Sequence, residues 1–351
     1  MQRPENINYK RSPLIPVFPL VVSPTHPSIM STMKPKILLR KIASYDLEEV
    51  EWFVQDSFAL CVSQNSSFHA GQKVLLKPNL LRAFKPDRCV TTHPALLEAV
   101  CRVLKDHSIN RIDISDSPAL GSLDAVAHKA GYGPLVKKYG VKFVPLSNPV
   151  SFATEENIPH LKIAGNLIDY DHIINLPKFK SHCQMTLTLG IKNLFGLVIG
   201  KRKPVLHCLV NNDKVKFGKM LVDIAKHVNP SLTLVDGIQA MQGQGPANGT
   251  PYPLGILASG QDLTALDRVL TEIVRVPPEK VYALEAARQK GFGTYELNAI
   301  ELQGETDLES LKVSDFQMAE LPLDISFNPV RIVKSFLKQF YEIGIKEKLR
   351  G

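Results

Sequence analysis

Cysteine is scarce in this 351-residue chain and shows no pairing pattern: Cys61, Cys89, Cys101, Cys183 and Cys208 are odd in number, and no two stand as Cys-x-x-Cys. That spacing excludes a recognisable disulfide framework or cysteine-only cluster motif and points to a reducing, cytoplasmic compartment. No apolar run approaches the roughly 20 residues of a membrane-spanning helix, so a soluble protein is expected. Repeats and low-complexity tracts are missing. Gly243-Gln244-Gly245-Pro246 lacks the lysine and serine of a P-loop and does not follow the dinucleotide fingerprint.

Strong charge of one sign is missing as well. The net charge is +8, but residues 1–33 hold +2 of it and residues 324–351 hold +3, leaving +3 for everything between. That residue of charge is too mild for a polyanion-binding surface without a nucleic-acid motif, so nucleic-acid binding is not expected. Lys10 and Arg11 precede an apolar stretch in the manner of a signal peptide, yet Pro13, Pro16 and Pro19 oppose the helix such a segment needs. Residues 1–33 therefore read as a disordered leader, with Met1, Met30 and Met33 all open as the translation start.

From Lys36 onward, short β-branched runs alternate with helical patterns. This is the signature of an α/β fold with mainly parallel sheets and crossover helices. Strands are expected over 74–76, 111–115, 141–146, 172–175, 232–235 and 254–258. One helix is expected to open at Pro94, with Thr92 or His93 as cap, another to follow the strand 111–115 and end at Gly131, and others over 187–197, 220–228 and 263–274. Residues 236–246 read as a glycine-rich loop. The organisation expected is two lobes, 34–210 and 211–305, with ligand at their junction, followed by a tail helix within 306–351.

Ligands of parallel sheets bind beyond the carboxyl ends of the strands. The polar residues following the expected strands are Lys77-Pro78-Asn79, Asp116-Ser117-Pro118, the run from Pro177 to His182, and Asp236-Gly237, with Lys192-Asn193 just downstream. Lysines at 77, 178, 180 and 192 are costly to gather unless an anion neutralises them. Local roles stay open: Lys77 and Asn79 can satisfy turn carbonyls, and Asp116 or Asp236 can cap a helix. Lys192 within an apolar stretch is harder to explain structurally. His182-Cys183 and His207-Cys208 raise a metal, but their spacing resembles no zinc site; His182 alone can serve as acid, base or ligand.

In order and spacing, several motifs resemble the family named domain of unknown function 362. They are Lys77 to Asn79, Thr91-Thr92-His93-Pro94, Asp116-Ser117-Pro118, Ile174 to His182, Thr188 to Gly196, and Asp236-Gly237 with Gly243 to Pro246, and they span roughly residues 36–305. Many members carry or sit beside ferredoxin-type iron-sulfur modules. This chain has no Cys-x-x-Cys-x-x-Cys run, so any cluster implied by the resemblance requires a separate ferredoxin-like partner or unorthodox ligands. A weaker similarity is to the lactate racemase group, on Asp171, His182, Gly190 and Lys192 in that order; it implies a related fold and an anionic ligand.

The reading reached from sequence is an enzyme acting on a small phosphate- or carboxylate-bearing anion. His182, Lys192 and Asp116 are its catalytic candidates; Lys77, Asn79, Lys178, Lys180, Asn193, Asp236, Gly243 and Gly245 are its ligand-binding candidates. The cofactor stays open, a metal or a nucleotide among the alternatives. The rival reading is a non-catalytic binding or electron-transfer partner of an iron-sulfur protein.

Overall fold

Burial is nearly continuous along the central strands, as over Val74–Pro78 and Ile256–Gly260, which marks a sheet covered on both faces. A computed structural model describes residues 34–320 except 65–67, 153, 156–157, 159–160, 200–205 and 207–212. The expected leader, the tail helix from 329 onward and the His207-Cys208 pair lie outside the described residues.

The chain begins β1 (Lys36–Lys41), α1 (Leu47–Ser63), β2 (Lys73–Pro78), α2 (Pro94–Asp106), β3 (Arg111–Ile114), α3 (Leu123–Lys129), α4 (Gly133–Tyr139) and β4 (Lys142–Phe143). An excursion through the paired strands β5 (Pro149–Val150) and β6 (Ile163–Ala164) leads to β7 (His172–Leu176), β8 (Lys178–His182), β9 (Thr186–Thr188) and α5 (Gly190–Asn193). Then come α6 (Lys214–Val228), β10 (Leu232–Gln242), β11 (Thr250–Tyr252), β12 (Ile256–Gly260), α7 (Leu263–Ile273), α8 (Tyr282–Gln289), β13 (Glu301–Gly304) and α9 (Leu308–Leu311).

One sheet runs β13-β1-β12-β10-β7-β2-β3-β4, with β8 and β11 attached at β10 and β9 paired with β8. Its central strands β10, β7, β2, β3 and β4 are parallel. Successive side chains of a strand point to opposite faces. Val74 and Leu76 accordingly join the apolar cluster under α1 and α2, whereas Leu75 joins the one under α6 and α8. Both faces are covered, as a parallel sheet requires. Strands leave β2 to one side through β3 and β4 and return on the other through β7 and β10, so the order reverses between β2 and β7. A crevice opens at such a reversal, beyond the carboxyl ends of the strands.

The helix expected at Pro94 forms, with the His93 ring nitrogen Nδ1 accepting from the Ala95 amide at 3.2 Å. Elsewhere the structure corrects the sequence reading. The run 178–182 is a strand: Pro177 cannot donate and interrupts β7, the Asp236 amide donates to its carbonyl at 2.9 Å, and pairing with β10 resumes at Lys178 opposite Asp236. Residues 236–242 are the second half of β10 rather than loop, flanked by β8 and by β12 and β11; the turn begins only at Gly243, whose φ is +73°. The expected helix 187–197 divides into the end of β9, the short α5 and a 3-10 turn over Leu194–Leu197. The strand expected over 254–258 lies two residues later and runs antiparallel to β1 and β10. Only Lys142–Phe143 of 141–146 pairs, and Gly131 at φ +89° separates α3 from α4.

Candidate functional site

The polar motifs converge beyond the carboxyl ends of β2 and β7, where the strand order reverses. Lys77, near the end of β2, is fully buried. Its ammonium donates to the Pro78 carbonyl at 2.7 Å and to Asn193 Oδ1 at 3.4 Å, and lies 3.1 Å from Asp116 Oδ1. Asp116, just past β3, also accepts from the amides of Leu80 at 2.7 Å and Ser117 at 2.8 Å. Asn193, in α5, accepts from Asn79 Nδ2 at 2.8 Å and donates to Asn175 Oδ1 at 2.8 Å. Asn175 donates in turn to the Gly190 carbonyl at 3.0 Å. A chain of amides thus ties β2, β7 and α5 together.

A second node lies where β8 meets β10. Lys178 and Asp236 are directly opposed in register, both essentially inaccessible to solvent, with Nζ 3.0 Å from Oδ2. Tyr45 donates its hydroxyl to Asp236 Oδ1 at 2.7 Å and accepts from Lys178 at 2.8 Å and from the Gln239 amide at 3.2 Å. The His93 amide donates to Asp236 Oδ2 at 2.8 Å, and the His93 ring stacks on Tyr45 with centroids 3.5 Å apart. Burial, then Asp236, raises the Tyr45 hydroxyl far above its ordinary value; burial lowers His93 to about 4, leaving a neutral imidazole.

Between the nodes stands Lys180. It shares a strand face with Lys178 and His182, because alternate residues of β8 point the same way. Its ammonium donates to Asn79 Oδ1 and to the Val90 carbonyl, the latter at 2.8 Å; no carboxylate pairs with it among the described residues. Burial, then the charges of Lys192 and Lys178, hold it well below the usual lysine range. Lys192 is half-buried, and among the described residues its ammonium has no hydrogen bond or ion pair, only the Phe195 ring at 5.0 Å. Burial and then Lys77 bring it down to about 8. Two buried hydroxyls beside the cluster also find no partner among the described residues. Thr188 Oγ1 sits directly across from Lys180 on β9, and Thr91 Oγ1 belongs to the residue after Val90.

His182 closes the β8–β9 hairpin: its Nδ1 accepts from the amides of Gln184 at 3.1 Å and Met185 at 3.2 Å, which puts the ring hydrogen on Nε2. Gly243 and Gly245 meet the backbone of β8. Ser181 donates its hydroxyl to the Gly243 carbonyl at 2.6 Å, the Cys183 amide donates to Gly245 at 3.1 Å, and a Cβ at Gly245 would lie 1.9 Å from the Ser181 carbonyl oxygen. No group of three or more His, Cys, Asp or Glu converges as a metal site among the described residues.

Four residues of the site are not among the candidates named from sequence, although Asn175 and Gly196 lie within the family motifs Ile174 to His182 and Thr188 to Gly196. Tyr45 and Asn175 look like ordinary strand-end and core positions. Gly196 approaches so closely that a Cβ there would lie 2.0 Å from Asp116 Oδ1. Asp267, buried in α7, accepts from the amides of Gly190 at 2.7 Å and Ile191 at 3.1 Å and so anchors the first turn of α5. Burial lifts its carboxyl to about 7 against the opposing pull of those amides.

A family model described as "Domain of unknown function (DUF362)" matches residues 74–272. A thylakoid-associated protein of Synechocystis sp. (strain PCC 6803) is 36% identical over 280 residues, covering 80% of this chain and 86% of that protein. Among solved structures, a structural-genomics target from Thermotoga maritima is similar with a TM-score of 0.41 at 12% identity, over 71% of this chain and 60% of that one. The lactate racemase apoprotein from Thermoanaerobacterium thermosaccharolyticum is similar with a TM-score of 0.35 at 15% identity, over 64% of this chain and 54% of that one. The chain thus spans less than two thirds of either solved structure. No helix among the described residues is long and apolar enough to cross a membrane.

Proposed function

The chain belongs to the domain of unknown function 362 family, and we propose that its lysine cluster binds a small phosphate- or carboxylate-bearing anion on which the protein acts as an enzyme. The observation that carries this reading is an imbalance of charge: among the described residues, Lys77, Lys178, Lys180 and Lys192 gather around two carboxylates, Asp116 and Asp236. Like charges gathered inside a protein repel more strongly than they would in water. A sequence has no packing reason to sustain that, and a doubly charged anion removes it. The hydroxyls of Thr91 and Thr188, without a partner among the described residues, are further donors for its oxygens.

In this reading Lys77 and Lys178 are committed to their aspartates and shape the site, while Lys180 and Lys192 supply the charge that the ligand meets. Lys192, with its acidity near neutrality, can hold or release a proton at Nζ. His182 offers a proton from Nε2. Titration calorimetry with inorganic phosphate near pH 7.5, repeated in buffers of different ionisation enthalpy, tests the reading. Binding accompanied by proton uptake is expected, because an anion raises both depressed amines. Lys192→Met should weaken the affinity by at least tenfold, on the order of one charge-assisted hydrogen bond. If neither phosphate nor a small dicarboxylate binds at millimolar concentration, the reading fails. Catalysis is separated from binding by His182→Ala, which should leave anion affinity nearly intact and lower turnover by roughly 100-fold.

A further inference from the structure

Next to the second node lies a cavity of about 550 Å³ whose walls include Tyr45, Lys85, Asp87, Cys89, His93 and Gln239. Its volume is that of an ordinary small-molecule pocket. One wall is aromatic and fixed: the Tyr45 and His93 rings lie within 12° of parallel. Neither can turn freely, because the Tyr45 hydroxyl is held by Asp236, Lys178 and the Gln239 amide, and His93 Nδ1 caps α2. With Nδ1 accepting, His93 carries its hydrogen on Nε2, which has no partner among the described residues. The side-chain amide of Gln239 has none there either. The cavity therefore offers aromatic surface from a rigid stacked pair, one donor, and an amide that both donates and accepts. An aliphatic occupant would leave these polar groups unpaired, at a cost; a flat ring with donors and acceptors on its edge satisfies them. At its inner side Cys89 borders the cavity, and the carbonyl of the next residue, Val90, accepts from Lys180. Cavity and lysine cluster are therefore neighbours.

We infer that the anion is carried on a planar heteroaromatic ring, which lies against the Tyr45–His93 pair with its edge on Gln239 and His93 Nε2 while the anionic group reaches Lys180 and Lys192. The inference rests on the anion reading of the lysine cluster and adds the class of ligand. Exposed Lys85 and Asp87 stand at the rim, open to whatever the ring bears outward.

Calorimetric titration with AMP and UMP against ribose 5-phosphate and inorganic phosphate separates the two claims. AMP and UMP present both ring sizes, and ribose 5-phosphate is the same anion with the ring deleted. The expected result is that one mononucleotide binds at least about tenfold tighter than ribose 5-phosphate, the scale of one base stacked on an aromatic side chain. Gln239→Leu should then bring that mononucleotide down towards ribose 5-phosphate and leave ribose 5-phosphate itself unchanged. Equal affinities for mononucleotides and ribose 5-phosphate would overturn the ring pocket and leave the anion reading standing. Binding of neither inorganic phosphate nor ribose 5-phosphate would sink the anion reading, and the ring pocket with it.

Discussion

Lys180 and Asp236 are both buried, yet the structure treats them in opposite ways, and their substitutions should separate stability from function. Asp236 neutralises Lys178 and accepts from Tyr45 and His93. Removing it leaves a buried ammonium uncompensated, and Asp236→Ala is expected to cost about 3–5 kcal/mol of unfolding free energy in urea denaturation. Lys180 has no carboxylate among the described residues and three lysines pressing on it. Lys180→Met should therefore be close to neutral or stabilising in the same assay while abolishing phosphate binding. A loss of several kcal/mol from Lys180→Met would show that the amine serves the fold rather than a ligand. Gly196→Ala belongs at this scale too. The added methyl would collide with Asp116 and Lys77, so weaker phosphate binding is expected together with a loss of about 1–3 kcal/mol, as for overpacking of a tight site.

The element that presents Lys192 and Asn193 is α5, a single turn that cannot sustain itself. Its first amides are held by Asp267 from the neighbouring α7, an N-terminal anchor supplied from 77 residues away. This is why the sequence reading failed over 187–197: an apolar run with helical spacing was visible, but the carboxylate that stops β9 and starts α5 is not local. Lys178 to His182 carried no expected element for a related reason. The partner strand β10 and the carboxylate that lets Lys178 be buried come from far along the chain. Asp267 also sets a pH signature. Its folded value of about 7 stands above the roughly 4 of an unfolded aspartate, so the folded state holds the proton more tightly. The stability it contributes is full below about pH 4 and is lost as pH rises through about 7. Urea midpoints taken from pH 5 to 8 should fall for the wild type relative to Asp267→Asn; parallel profiles would show that this carboxyl does not titrate in that window.

Across the whole molecule, what was legible in the sequence was local or periodic: the parallel core strands, the His93-Pro94 helix start, and the ordered motifs that carry the lysines. What was not legible depends on contacts between distant residues. Tyr45 meets Asp236 across 191 positions and His93 meets it across 143, and nothing near Tyr45 in the chain marks it as part of a site. The gathered charge also gives the molecule a global readout. A ligand that binds only the folded state stabilises it by RT ln(1 + [L]/Kd), about 2.7 kcal/mol at 100 times Kd, which for a chain of this size is a shift of several degrees. That stabilisation depends on protonated lysines. Lys192 has a folded value of about 8, below the 10.4 or so of a free lysine. Without ligand, its depressed value therefore makes a contribution to stability that rises with pH from about 8 to about 10.5, where the unfolded chain binds the extra proton. With saturating phosphate the opposite trend is superimposed, because the anion favours the charged amine. Thermal melts with and without phosphate should thus diverge most near pH 7 and converge as pH climbs past 8. A phosphate shift that stays constant from pH 7 to 9.5 would remove Lys192 from the binding site.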